Sequence, residues 1–352
     1  MPHLRGKMVC YFLEVVMEKR QWNPADLLQL SGGYWSACAL HAGVALDLFT
    51  PLAEGPLTAQ ELAGRLQVNV RGVAMLLGAL TAIELLEKKE DTYTTTPFAG
   101  EFLSRKAPGY LGHIIQHHHH LMASWAHLDQ AVRSGGPLRA RSSHDVGEDE
   151  RESFLMGMFN LAMQLAPRIV PNIDLTGRHR LLDLGGGPGT YAIHFCQQKP
   201  ELTAVIFDLP TSRRFAEQTI DRFDLGGRIT FAAGDFMVDE IPGRFDVAWL
   251  SHILHAEGPE GCAIILERAV AALEPGGLIL VQEFILDNTL DGPIFPALFS
   301  LNMLLGTPAG QAYSEGQLIA MLAAAGVRDL RRLPLELPNG AGVIAGTLPT
   351  LR

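Results

Sequence analysis

Basic residues are scarce in this chain. Its 28 Lys and Arg stand against 38 Asp and Glu, a formal net charge of −10. That balance excludes the electrostatic footprint of a non-specific nucleic-acid binder or of a protein drawn to anionic lipid. Charged residues make up only 19% of the chain and hydrophobic ones 47%, which excludes a disordered polypeptide. Cysteine is rare. Cys10, Cys38, Cys196 and Cys262 are far apart and form no C-x-x-C pair, so they read as free thiols in a reducing compartment. No apolar run reaches membrane-spanning length. The apolar stretch from Met8 to Met17 is broken by Glu14 and followed by Glu-Lys-Arg where a cleavage site would lie. It reads as an amphipathic helix, and the protein as cytoplasmic. A length of 352 residues is too great for one ordinary core and suggests two domains.

The first 105 or so residues read as mostly helical. Thr58-x-x-Glu61 is a capping box opening a short helix to Leu66. A turn at Val68-Asn69 and a helix from about Val70 to Leu86 follow, then a polar, Thr/Tyr-rich stretch to Thr96 suited to a hairpin. Helix-turn-helix plus hairpin is a winged-helix pattern. Between Leu57 and Lys106, however, six basic residues face six acidic ones, and only Arg71 lies near the start of the second helix. A DNA-reading surface needs a basic cluster there, so dimerisation is the better role. Gly109–Val132 and Ser153–Val170 read as helical, with a polar hinge at Arg133–Glu152 between them.

From Arg180 onwards strands alternate with helices. Arg180–Leu184, Ala204–Asp208, Arg228–Ala232, Phe245–Leu250 and Leu278–Glu283 have the spacing of a parallel, doubly wound α/β sheet. Pro-Gly-Gly at 275–277 reads as the turn feeding the strand at Leu278. Leu330–Leu337 and Gly342–Gly346 have no room for a helix between them and read as a final antiparallel hairpin.

The first of these strands runs into Asp183-x-Gly185-x-Gly187-x-Gly189 and an amphipathic stretch, Tyr191–Gln198. Strand, glycine turn and helix N-terminus make a site for a nucleotide-like cofactor. A dinucleotide fingerprint would place its third glycine at Thr190, and no Lys-Ser/Thr pair follows to cradle phosphates. An acid ahead of the turn suits a cationic amine better than a pyrophosphate. These features point to S-adenosylmethionine, which carries an amino-acid head and a sulfonium but no phosphate.

Ligands of such sheets sit at the carboxyl ends of the strands. Asp208 ends the second strand, 23 residues after Gly185, where an acid accepts from ribose hydroxyls; it also reads as a helix-capping residue before Leu209-Pro210. Asp235 follows the third strand and would face the adenine amino group, with Phe236 packed on the ring; Asp235 reads equally as a turn residue. His255 lies just past the fourth strand, where an acceptor would meet the methyl donor, and can act as a general base near neutral pH. Glu283 closes the fifth strand, where it can accept from the other imidazole nitrogen. His113, His117, His118, His119 and His120 form a dense cluster, with His113, His117 and His120 on one helical face. Without an acid or Cys in the stretch, they read as pocket-lining or solvated side chains rather than a metal site.

With these residues placed, the chain resembles the two-domain, S-adenosylmethionine-dependent O-methyltransferases of the plant caffeate type and their bacterial natural-product relatives. The resemblance rests on Leu182-Asp-Leu-Gly-Gly-Gly-Pro-Gly-Thr190, Phe207-Asp-Leu-Pro210, Gly234-Asp-Phe236 and Glu274-Pro-Gly-Gly277, together with the winged-helix region. It implies a class I methyltransferase, Rossmann-like doubly wound sheet behind a mostly helical winged-helix dimerisation domain. The corresponding segments are residues 1–108, a helical substrate-pocket segment at 109–175, and the cofactor-binding domain at 176–352. It implies that Gly185, Gly187, Asp208, Leu209, Asp235 and Phe236, with Asp183, form the cofactor site, and that S-adenosylhomocysteine is the product. It makes His255 the catalytic base and Glu283 its acid. Phe154 and Met158 match a substrate-side Phe-x-x-x-Met, Asn302 and Met303 lie in a second pocket segment, and His120 joins them as a pocket residue. It departs from the family pattern at Ala256-Glu257 where Asp-Trp is usual, at Ser251 for a basic residue, and at Ala312 for a second acid.

The expected protein is therefore a cytoplasmic homodimer that methylates a hydroxyl of a small aromatic or polyketide-like acceptor. It is expected to need neither metal, membrane nor nucleic acid. S- or N-methylation, other chemistry on the same fold, and a winged-helix regulator sensing the cofactor stay open as alternatives.

Overall fold

The computed structural model describes residues 21–141 and 146–350; the helix expected over Met8–Met17, and Cys10, lie outside them. Helix α1 (Ala59–Leu66) begins at the expected capping box, with Thr58 and Glu61 exchanging side-chain and backbone bonds. Helix α2 (Val70–Ala82) is capped by the Asn69 side chain and buries Val73, Leu77 and Leu80 along one stripe. It stops short of the expected end at Leu86. Glu84, at φ +63°, turns the chain, and Leu86 opens a strand, Leu86–Lys89. That strand pairs with Thr92–Thr95, which also pairs with Leu57–Thr58, so the hairpin is the middle and one edge of a small three-stranded sheet.

Helix α3 (Gly112–Trp125) carries the histidine cluster and ends before a separate short helix at Leu128–Ser134. Helix α4 (Glu148–Ile169) starts earlier than its apolar pattern suggested. Its first turn is Glu148, Asp149 and Glu150, acids that the positive end of the helix dipole favours. The two helices pack closely: a methyl group on Gly157 would lie 3.0 Å from the Ile114 Cα.

The main sheet contains β1 (Arg180–Leu184), followed by helix α5 (Thr190–Gln198), β2 (Thr203–Asp208), β3 (Ile229–Ala233), β4 (Phe245–Ser251) and β5 (Leu273–Leu286). After β5 come helix α6 (Ile294–Gly306), β6 (Arg328–Arg332) and β7 (Ala341–Thr347). The order across the sheet is β6-β7-β5-β4-β1-β2-β3, parallel from β5 to β3, with β7 antiparallel to both of its neighbours, β5 and β6. Order reverses beside β1, which puts the glycine turn and the end of β4 at the switch point.

Two expectations need correction here. Pro275-Gly-Gly277 is not a turn before the strand. It lies within β5, where Gly276 takes φ +76° and the pairing with β4 shifts register between Phe245 and Val247. The first hairpin strand, expected over Leu330–Leu337, is only Arg328–Arg332. Both faces of the sheet are covered, one by a cluster around Ile193, Phe195, Ile206 and Trp249, the other by one around Leu250, Ile265, Leu266 and Val281.

Candidate active site

The glycine turn follows β1 as the motif demands. Gly185, Gly187 and Gly189 all have positive φ, at +66°, +51° and +77°, which side chains with a Cβ resist. Close approach compounds this at Gly185, where a Cβ would lie 2.6 Å from Ile253 and 3.3 Å from the Phe236 ring. Phe236 and the loop after β4 therefore converge on the turn. Asp183 lies beneath it, 1% exposed, accepting from the Ala192 N–H at 3.2 Å with Oδ1 unpartnered. Burial and the nearby Asp208 push its carboxyl up to about 7, against the Ala192 hydrogen bond.

Asp208 ties the second strand end to the turn. Its carboxylate accepts from the Gly187 N–H at 2.7 Å, the Leu209 N–H at 2.6 Å and the Ser212 hydroxyl at 3.0 Å. Asp235, past β3, accepts from the Met237 N–H at 2.8 Å, the geometry of an Asx turn. A carboxylate offers about four acceptor positions, so Asp235 keeps capacity for a ligand amino group.

His255 lies in a short turn after β4. Its Nδ1 is 2.7 Å from Glu283 Oε2. Glu283 is 1% exposed and its other oxygen accepts from the backbone N–H groups of Leu254, at 2.9 Å, and His255, at 3.3 Å. Burial opposes its ionisation, but the neighbouring His255 and His252 outweigh that and hold the carboxyl well below the usual range. An ionised carboxylate only accepts, so the proton between the pair is on His255 Nδ1, and neutral His255 keeps its lone pair on Nε2.

A second imidazole shares this acid: His252 Nδ1 lies 3.5 Å from Glu283 Oε2, on a residue held at φ +56°. The donor atoms of His252, His255 and Glu283 fall within 4.8 Å of one another, a set of types that can bind metal. The 2.7 Å contact is a hydrogen bond, shorter than the roughly 3.3 Å between two ligands on one tetrahedral ion with bonds of about 2.0 Å. Aromatic rings from β5 and α6 close over these imidazoles. Phe299 meets His255 edge-on at 4.7 Å between ring centres, and Phe284 lies 4.3 Å from His252.

The proposed acceptor residues gather from α3, α4 and α6. The face of α3 with His113, His117 and His120 turns towards α4: His117 lies 5.2 Å from the Phe154 ring and His120 Nδ1 is 3.0 Å from the Ser153 hydroxyl. Met158 is one turn beyond Phe154 on α4, and both are part-buried. Asn302 Oδ1 accepts from Trp125 Nε1 and Arg139 Nη2, each at 3.2 Å, while Met303 beside it is buried.

The family models decide what this arrangement is. The model described as O-methyltransferase domain matches residues 125–328, and the O-methyltransferase dimerisation domain matches residues 28–105. The chain belongs to the O-methyltransferase family. It is an S-adenosylmethionine-dependent methyltransferase with a dimerisation domain.

Among the relatives of this O-methyltransferase is 3-hydroxy-5-methyl-1-naphthoate 3-O-methyltransferase of Streptomyces sahachiroi, 34% identical over 92% of this chain and 95% of its own. The N,N-dimethyltransferase OxyT of Streptomyces rimosus is 33% identical over 74% and 78%. The solved structure of human N-acetylserotonin methyltransferase in complex with SAM covers 95% of this chain and 100% of its own, with 26% identity and a TM-score of 0.82. Among the described residues no helix is long and apolar enough to cross a membrane.

Three residues near the candidate site escaped the sequence. His252 stands in the quoted Ser-His-Ile-Leu-His run, but its contact with Glu283 depends on a left-handed backbone that no local signal marks. Arg139 and Arg141 belong to a stretch that reads only as a polar hinge. Arg141 reaches the Ala256 carbonyl at 2.5 Å and the Glu257 carboxylate at 2.6 Å, thereby engaging both residues that depart from the family's Asp-Trp.

Proposed function

We propose that this enzyme methylates a hydroxyl of a small aromatic or polyketide-like acceptor, with His255 as general base. The observation that carries the reading is the 2.7 Å contact between His255 Nδ1 and the buried Glu283 carboxylate. It leaves the imidazole with Nε2 as proton acceptor and a fixed anion to stabilise the imidazolium once the hydroxyl proton arrives. A phenol has a pKa of about 10, so proton removal as its oxygen reacts contributes to rate near neutral pH. Bound S-adenosylmethionine would supply the methyl group from a positively charged sulfur. Gly185, Gly187, Asp208 and Leu209 would hold its ribose and amino-acid side, Asp235 and Phe236 its adenine, and the Asp183 charge would favour its cationic head.

Phe154, Met158, Asn302, Met303 and His120 would line the acceptor pocket. The aromatic wall of Phe284, Phe295 and Phe299 suits a planar acceptor. The naphthoate relative supports a fused-ring phenol. A homodimer is supported by the dimerisation domain and by the exposed large apolar side chains of Leu27, Leu28, Leu30, Tyr34 and Trp35. Its expected location is the cytoplasm.

The test is incubation with methyl-labelled S-adenosylmethionine and a panel of phenols, naphthols and aryl amines, with the labelled product mapped by NMR. Label on oxygen supports the reading. Label on nitrogen alone would give the chain the reaction named for its OxyT relative and overturn the hydroxyl assignment.

A further inference from the structure

The carbonyls of the Leu254–Ala256 turn, which carries His255, and of Glu257 after it all have fixed neighbours. Cys262 Sγ lies 3.2 Å from the Leu254 carbonyl. The His255 carbonyl faces Gly310, where a Cβ would lie 2.5 Å from its oxygen. The Ala256 carbonyl accepts from Arg141 Nη2 at 2.5 Å, and the same nitrogen donates to the Glu257 carboxylate at 2.6 Å. The Glu257 carbonyl accepts from the Tyr313 hydroxyl at 2.6 Å. Cys262, Gly310 and Tyr313 follow His255 in the sequence; of the four, only Arg141 comes from the segment ahead of β1.

That segment is anchored before it reaches the turn. Leu138 and Arg139 both donate backbone N–H bonds to the Leu305 carbonyl, at 3.0 and 3.2 Å. Arg139 Nη2 donates to the carbonyl and side-chain oxygens of Asn302, at 3.3 and 3.2 Å. Its guanidinium lies against Gly306, where a Cβ would meet it at 2.6 Å. Arg141 therefore extends from a backbone held two residues earlier at the end of α6. The Arg141 and Glu257 side chains are 25% and 20% exposed, so solvent screens this pair less than a surface pair.

Glu283 fixes His255 from the sheet, through Nδ1 and through the backbone N–H. Neither bond holds the peptide that follows the ring. Ala256 offers only a methyl group there, so its own side chain makes no polar anchor. The Arg141 guanidinium supplies one, on the Ala256 carbonyl and the next side chain. Alignment of this kind matters to rate: a misplacement of about 1 Å can cost about 100-fold.

We infer that Arg141 is a positioning residue for His255, holding the turn through Ala256 and Glu257 so that Nε2 stays aimed at the acceptor hydroxyl. This role rests on His255 acting as the base. Arg141 works through the turn, so its loss lowers turnover and leaves the binding of cofactor and acceptor in place. A phenol of pKa about 10 that has already ionised in solution needs no base, so the loss shrinks as pH rises towards that value.

The test uses the full chain, methyl-labelled S-adenosylmethionine and the phenol or naphthol that the wild type methylates fastest. Arg141→Ala and Arg141→Lys are each made in the wild type and in His255→Ala. At neutral pH Arg141→Ala is expected to lower kcat about 10- to 100-fold. KM for the acceptor and Kd for S-adenosylhomocysteine stay within about twofold. The kcat deficit narrows by about pH 9.5, and Arg141→Lys, which keeps a cationic donor, restores part of the rate. In the His255→Ala background Arg141→Ala costs less than about twofold, because the residue it aligns is gone. Unchanged S-adenosylhomocysteine affinity reports that each variant is folded; should Arg141→Ala not fold, Arg141→Met, which keeps the apolar stem, takes its place. A kcat within about threefold of wild type, a loss confined to KM, a deficit that persists at high pH, or an equal loss in the His255→Ala background overturns this role and leaves the base standing. Undiminished turnover in His255→Ala alone overturns the base, and the positioning role with it.

Discussion

Glu283 holds His255 twice, through the ring at 2.7 Å and through the backbone N–H at 3.3 Å. The two bonds have different consequences on mutation. His255→Ala removes the base and leaves the acid's backbone bonds, so turnover should fall roughly 10²–10⁴-fold with S-adenosylhomocysteine affinity unchanged. Glu283→Gln keeps the size but loses the anion and can present an N–H to the ring, so it should lower turnover by a similar factor. Glu283→Ala should in addition lower stability by about 1–3 kcal/mol, because it leaves the Leu254 and His255 N–H groups buried without an acceptor. Steady-state kinetics with denaturant unfolding separates these effects; unaltered turnover in His255→Ala would remove the base from the mechanism.

Asp183 is a carboxyl whose folded pKa is pushed up to about 7. A group with a raised folded pKa contributes stability that is present at acid pH and lost as pH rises through the folded value. Asp183→Asn should therefore stabilise the ligand-free protein at pH 8, by about 1–3 kcal/mol, while weakening binding of the cationic cofactor. Thermal unfolding with and without S-adenosylmethionine measures both. A variant less stable at pH 8 and undiminished in cofactor binding would contradict this view of the acid.

His117 has the opposite pH dependence. Its folded pKa of about 3 lies below the unfolded value of 6.5, so the unfolded chain takes up a proton first as pH falls. Stability should decline from about pH 6.5 towards pH 3, by up to about 1.4 kcal/mol per pH unit for this group. His117→Gln should flatten that decline relative to wild type. Comparing the two proteins at each pH cancels the Asp183 contribution, which runs the other way.

Trp35 is 68% exposed and Leu28 72% exposed on the helices Tyr34–Ala45 and Pro24–Gly32 of the dimerisation region. Trp35→Glu and Leu28→Glu place a charge on that apolar face. Each should shift the protein from dimer to monomer by light scattering, and a dimer that persists in the double variant would locate the interface elsewhere.

The sheet was legible because its strands are short apolar runs bounded by turns; Arg180–Leu184 appears with the expected ends. The pairing of His255 with Glu283 was legible because adjacent parallel strands put their carboxyl ends side by side. Element ends were less so. Nothing local distinguishes Pro275-Gly-Gly277 as a kink inside β5 from a turn before it, since glycine at positive φ serves both. Glu148–Glu152 looked like loop because their polar side chains lack apolar periodicity, yet the dipole makes acids favourable at that helix start. Arg139 was beyond reach for another reason. Its meaning comes from Asn302 and Gly306, more than 160 positions away, and no spacing rule connects them.

Helix α6 touches His255 through Phe299 and Arg139 through Asn302, but contributes neither His255 nor Glu283. Those come from the sheet and its adjoining turn. Substitutions along α6 can consequently change which molecule is accepted while the His255–Glu283 pair keeps its alignment. In a lineage that diversifies its acceptors, this helix is where new specificities can accumulate at little catalytic risk, and it is the first element to randomise when redirecting the enzyme to another acceptor.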